Sequence, residues 1–296
     1  MPTPDRSDAQ DIASVDDLRR AGLPTSLFTA DGDAITPTTL TTSPWGRDSL
    51  HGGPVAALLA DALEVVPTTV PMFPARFTLE LLRPVGLEPM TIETRVVRAG
   101  RKVQVLEALL SPLRAPDAPV ARATLQQIHR APVDLDPALL APNGPERDQP
   151  PAPENCPRQG GGFTDDDTEV RYHNTGVEHR SPEPLFLRDG PAVDWIRIIP
   201  DLFPDRPLTP LARVVGAADF GNGISRILPF PRYLFINPDL TVYLYRLPVD
   251  EYVCLDAITR LDPTPGTGSV GLAESALFDR SGRIGRSLQS LLIDEP

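Results

Sequence analysis

The feature that most constrains this chain is that its two halves repeat one order of elements. Residues 77–85 read FTLELLRPV and residues 240–249 read LTVYLYRLPV. Both alternate in the manner of a half-buried strand, and both close on arginine and proline. A long β-rich run follows each: MTIETRVVRAGRKVQVLEALL in the first half and YVCLDAITRLDPTPGTGSVGLAESALF in the second. Each half then ends on a similar strand, ARATLQQIH and GRSLQSLLI, with Gln126 lying 42 residues after Pro84 and Gln289 lying 41 after Pro248. Upstream of each first strand is a glycine-marked helical segment, HGGPVAALLADALEVV and LARVVGAADFGNGISRIL. The same order of helix, strand, long hairpin and Gln-bearing strand, given twice, points to two like units.

The first helix defines what such a unit must do. From Val55 to Val66 its only polar residues are Asp61 and Glu64, three apart and on one face. A helix that is apolar over nearly its whole circumference is a buried one. At about 1.5 Å per residue it spans on the order of 20 Å, which suits a helix wrapped by a curved antiparallel sheet. Pro54 fits the first helical turn, and Gly52 and Gly53 leave backbone N–H groups free there. The expected fold class is therefore α+β. Its units are residues 1–130 with a polar N-terminal extension, a proline- and aspartate-rich linker over 131–185, and a second unit over 186–296. The linker, including APNGPERDQPPAPENCPRQGGGFTDDDTE, has too little periodic apolar content for a core element and reads as a run draped on the surface.

Composition excludes several classes. At 296 residues, 41% of them apolar and 23% charged, the chain matches a globular protein with a full core. The N-terminal MPTPDRSDAQDIASVDDLRR has no basic and apolar leader pattern, and no apolar run is long enough to span a bilayer. Two cysteines, Cys156 and Cys254, make neither a disulfide framework nor a zinc cluster. The expectation is a cytoplasmic protein with no membrane partner. A net charge of −12 argues against a nucleic-acid surface but leaves room for an anionic small ligand in a local arginine pocket.

The stretch AADFGNGISRIL around Asp219 has several readings. A kinase-like Asp-Phe-Gly lacks an H-R-D loop and a strand lysine, since Lys102 is the only lysine. Gly221-Asn222-Gly223 lacks the third glycine and preceding buried strand of a dinucleotide fingerprint. No G-x-S-x-G marks a serine hydrolase. Asp219 as a turn or cap residue stays open beside a catalytic carboxylate. When the glycines of the two halves are aligned, Ser49 falls where Asp219 does.

The order helix, strand, hairpin and strand, taken twice, resembles the tandem or double hotdog fold, in which each half wraps a long central helix in a curved sheet and the two sheets run together. The details resemble the acyl-CoA thioesterase II type of that superfamily, from about SPWGRDSLHGGPVAALLADALE to the C-terminus. Gly52-Gly53-Pro54-Val55 matches its GGQV-like helix start and Arg83-Pro84 its strand ending in RP. Ala218-Asp219-Phe220 matches its SDF, Asn237-Pro238-Asp239 its Thr-x-Asp, and Gln289 its last-strand glutamine. The resemblance departs at Asn237, an amide where the family has a hydroxyl.

The resemblance implies an acyl-CoA thioesterase of fatty acid and lipid metabolism that releases a free acid and CoA, with no cofactor and no metal, as a homo-oligomer of double-hotdog units. It implies that Asp219, Asn237 and Gln289 position and activate the water, which suits a carboxylate base and two orienting amides. Gly52 and Gly53 at the helix N-terminus are candidates for stabilising the oxyanion. His51 either lines the helix entrance or caps it. Three alternatives remain: a non-catalytic acyl-CoA or acyl-carrier-protein binding module, a hotdog enoyl-CoA hydratase or dehydratase, and a structural hotdog protein whose tunnel is filled by its own side chains. The second expects an Asp-x4-His pair, and no histidine here has an aspartate five positions before it. His173 and His179 lack a third metal ligand. Arg83 and Arg246 close equivalent strands, as solvated ends or as contacts to CoA phosphates.

Overall fold

The computed structural model describes residues 12–44, 46, 48–134, 136, 149–160, 169–185, 189–229, 232–262, 264 and 269–295. The helices are α1 (Val15–Arg20), α2 (Gly52–Glu64), α3 (Pro210–Ala218) and the single turn α4 (Gly221–Ile224). The first half carries β1 (Phe28–Asp31), β2 (Ala34–Pro37), β3 (Met72–Leu81), β4 (Met90–Arg98), β5 (Val103–Pro112) and β6 (Ala121–His129). The short strands β7 (Arg158–Gln159), β8 (Val177–Arg180), β9 (Ala192–Ile198) and β10 (Leu234–Ile236) follow. The second half closes with β11 (Asp239–Leu244), β12 (Val253–Leu261), β13 (Val270–Asp279) and β14 (Gly282–Asp294).

All these strands join one antiparallel sheet in the order β1-β2-β4-β5-β6-β3-β11-β14-β13-β12-β9-β8-β7, with β10 on β14. The two repeated strands meet in its middle. Thr78 of β3 stands opposite Thr241 of β11, and their hydroxyls are 3.2 Å apart. Outward from that pair the order is β3, β6, β5, β4 on one side and β11, β14, β13, β12 on the other. The sequence repeat is thus an approximate two-fold centred on two threonines.

Register corrects one correspondence. Thr124 pairs with Thr78, and Leu288 pairs with Thr241. The mate of Gln289 is therefore Leu125, not Gln126. A shift of one residue moves a strand side chain to the other face of the sheet, and Leu125 is buried where Gln126 is only partly so.

Helix α2 is buried along its length, from Gly53 to Asp61 and at Leu63. It runs antiparallel to α3. A methyl on Gly53 would meet the Gly216 carbonyl at 2.6 Å, and one on Gly216 would meet Ala57 at 3.5 Å. Helix α3 starts on Thr209, whose hydroxyl accepts the Ala212 N–H at 3.1 Å, with Pro210 in the first turn. Counted from the N-caps His51 and Thr209, the position of Asp219 is that of Asp61, not of Ser49.

The connecting segment also differs from a surface run. Tyr172–Gly176 forms a π-type turn and β8 pairs with β9, burying Tyr172, His173, Val177, Glu178 and His179. These residues enter the core as paired polar groups rather than as apolar periodicity. Glu178 receives Arg180 at 2.6 Å, and His179 Nδ1 lies 2.6 Å from Asp194.

Candidate active site

The antiparallel packing of α2 on α3 brings the start of one helix to the end of the other, and so joins His51 to Asp219 across the two halves of the chain. Asp219 follows the last turn of α3 and its side chain is 4% exposed. His51 is the N-cap of α2. Its Nδ1 lies 2.8 Å from Asp219 Oδ2 and 3.1 Å from the Gly53 N–H.

One nitrogen cannot accept from Gly53 and donate to Asp219 with a single site. If Nδ1 were unprotonated, its lone pair would face an anion at hydrogen-bond distance. The arrangement is satisfied when Nδ1–H donates to Asp219 and the Gly53 N–H bears on the same carboxylate. This tautomer leaves Nε2 for other chemistry.

The other carboxylate oxygen is held by amides. Asn237 Nδ2 donates to Asp219 Oδ1 at 2.9 Å. Gln289 Nε2 is 3.3 Å from Oδ1 and 3.2 Å from the Asp219 carbonyl, while its own Oε1 accepts the Asn222 N–H at 3.0 Å. Burial pushes the Asp219 pKa upward, but His51, Asn237 and Gly53 outweigh it and hold the carboxyl below its usual 3.8. Asp219 is thus an ionised group with its acceptor sites committed to the protein.

A cavity of about 450 Å³ opens against this pair. His51, Gly52, Asp219, Asn222 and Asn237 form its polar side, and Leu50, Leu81, Val85, Phe220 and Ile236 are among its apolar walls. Such a volume with a few convergent polar groups is in the range of ligand sites. Arg83 lies at its edge. Its counterpart Arg246 is engaged in a bidentate pair with Asp279 and with the Gly282 carbonyl.

The site residues expected from sequence separate into two groups. Asp219, Asn237, Gln289 and His51 converge. Gly52 lines the cavity, and a methyl there would meet both Asp219 oxygens at 2.8 Å. Gly53 does not line it, since its N–H turns to the His51–Asp219 pair. His51 is both cap and cavity wall, so the two readings of it describe one side chain.

Three further side chains, none of them among the expected site residues, contribute to the site. Phe220 lies 4.8 Å from the His51 ring, and Asn222 anchors Gln289 while its Nδ2 donates to the Phe235 carbonyl at 2.9 Å. Tyr172 arrives from the connecting segment. Only the glycines it packs on, Gly53 and Gly216, hint that something large needs the space.

Comparison with known proteins agrees with this architecture. Residues 41–127 match the acyl-CoA thioesterase N-terminal domain, and residues 147–293 match the acyl-CoA thioesterase C-terminal domain. No curated protein sequence matches the chain significantly. Similar solved structures include a provisionally named thioesterase II from Thermobifida fusca, 15% identical with a TM-score of 0.65 over 92% of this chain and 96% of that one. A hot dog fold protein of unknown function from Alicyclobacillus acidocaldarius is 17% identical, with a TM-score of 0.64 over 92% and 97%. An acyl-CoA thioesterase II from Mycobacterium marinum is 17% identical, with a TM-score of 0.59 over 92% and 96%. The two domain matches fall on the two halves that build the site, one supplying His51 and the other Asp219, Asn237 and Gln289; the chain belongs to the acyl-CoA thioesterase family and is a thioester hydrolase.

Proposed function

We propose that this chain hydrolyses the thioester of an acyl-CoA to the free acid and CoA at the cavity bounded by His51 and Asp219. The observation that supports this most is the His51–Asp219 hydrogen bond at the cavity wall. In this reading Asp219 orients the imidazole, and His51 Nε2 takes the proton of a water held beside Asn237. The hydroxide oxygen bonds to the thioester carbon, and the carbonyl electrons move to oxygen. The Gly52 N–H at the start of α2 supports that charge. Collapse re-forms the carbonyl and breaks the C–S bond, and the His51 proton neutralises the departing thiolate. Gln289 does not meet the water; it holds Asp219.

A His–Asp pair also raises the hydratase alternative, since the spacing argument against it covers only neighbouring residues. That reaction needs an acid and a base acting on two substrate atoms. Asp219 is ionised and its oxygens are already engaged, which leaves one proton shuttle and favours hydrolysis.

The two units are read as hotdogs over 1–130 and 186–296, with the segment between them contributing β7, β8 and Tyr172. Neighbouring exposed Val270 and Leu292 on the sheet's outer face support association of copies. Incubation with short- to long-chain acyl-CoAs, following free thiol, tests the activity. Thiol release with at least one chain length is expected. Binding of acyl-CoA without release at any length would make the chain a binding module instead.

A further inference from the structure

The groove between α2 and α3 is closed at its Asp219 end by one side chain from neither helix. Tyr172 is fully buried. Its Cε1 stands 2.8 Å from where a Gly53 methyl would be, and its hydroxyl donates to the Gly216 carbonyl at 3.3 Å. The ring lies 5.0 Å from the His51 ring and stacks on Phe220 at 5.5 Å, with 23° between planes. Phe220 in turn receives the edge of His179 at 5.1 Å. The phenol stays protonated, because burial and then the Asp219 charge push its pKa well above 10.0.

We propose that Tyr172 is a positioning residue: its ring fixes the His51 imidazole against Asp219 and keeps water from reaching the pair from behind. His51 has one polar tether of its own, the Nδ1–H that donates to Asp219. Rotation about that edge is resisted by aromatic walls, Phe220 on the cavity side and Tyr172 behind. A missing rear wall lets water compete for Nδ1 and lets the ring tilt, and misplacements of about 1 Å can cost about 10²-fold in rate. The glycine at 53 follows from this, since even a methyl there would stand 2.8 Å from the ring and evict it. The connecting segment is then part of the catalytic apparatus and not only a tether. The inference rests on the proposed role of His51.

The test uses the full chain with Tyr172→Phe, Tyr172→Leu and Tyr172→Ala. Thiol release from acyl-CoA is expected to lose about 10²-fold in kcat for the alanine and leucine forms with KM little changed. The phenylalanine form keeps most of the rate. A second readout needs no turnover: the hydrogen-bonded His51 Nδ1–H gives a downfield proton resonance, assigned by its loss in His51→Gln. It should persist in wild type and Tyr172→Phe and vanish by exchange in Tyr172→Leu and Tyr172→Ala. Phenol added to Tyr172→Ala should restore it by refilling the space. Folded Tyr172→Leu with an unchanged resonance and unchanged kcat would overturn the proposal. A wild type that shows the resonance but releases no thiol would instead sink the hydrolase reading, leaving the role of Tyr172 to the resonance alone.

Discussion

At one end of the α2–α3 pair, Asp219 faces His51; at the other, Asp61 faces Arg206 at 2.8 Å. The two aspartates stand at equivalent helix positions, and everything around them differs. Where the first end has the cap His51, the second has Thr209, whose hydroxyl bonds Glu64. Where the first has Gln289, the second has Leu125 by register. The Asp219 pKa is lowered; that of Asp61 is raised by burial, with Arg206 only partly opposing it. The two carboxylates differ in their donors, not in their place on the helix. The same scaffold makes an ion pair at one end and an oriented imidazole at the other.

Removing the imidazole should break the comparison most. His51→Ala is expected to lower kcat by about 10²–10⁴-fold, the range of general base contributions, in a thiol-release assay. Substituting the second end's residue into the first should sharpen it. Gln289→Leu copies Leu125 and removes donation to a charged acceptor, so about 10- to 100-fold should be lost in kcat/KM with the fold intact.

Stability should respond with opposite signs. The lowered pKa of Asp219 means that its contribution is complete above the unfolded value near 3.9 and is lost as pH falls through the lower folded value. Asp219→Asn should therefore lower Tm at pH 7, by an amount that shrinks below about pH 4. The raised pKa of Asp61 means that ionising it costs stability as pH rises past the unfolded value. Arg206 is half-exposed and keeps its hydration. Asp61→Asn should leave Tm unchanged or slightly raised at pH 7, with any gain gone in acid. Thermal melts of both variants from pH 3 to 7 check the pair.

The repeat and the buried first helix were legible in the sequence through their periodicity, whereas Asp219, Asn237 and Gln289 stood out through the motifs that resemble the thioesterase family and His51 through its place before the glycines of the first helix. What they bond was not legible. The Gln126 correspondence fails because a pleated strand turns one residue of slippage into the opposite face: Thr78 stands opposite Thr124, 46 residues on, and Thr241 opposite Leu288, 47 residues on. The Ser49 correspondence fails because glycines mark the start of α2 but follow the end of α3. Tyr172 was invisible because its segment is buried through ion pairs and glycine contacts rather than an apolar rhythm.

The central claim is that one of two equivalent carboxylates orients the group proposed to do the chemistry, and the other does not. Steady-state thiol release by Asp219→Asn and Asp61→Asn, assayed side by side on the best acyl-CoA, tests it most directly. The expected result is a loss of about 10²–10⁴-fold in kcat for Asp219→Asn, as for a triad aspartate, and wild-type turnover for Asp61→Asn. Equal losses at both ends, or an undiminished Asp219→Asn, would contradict it.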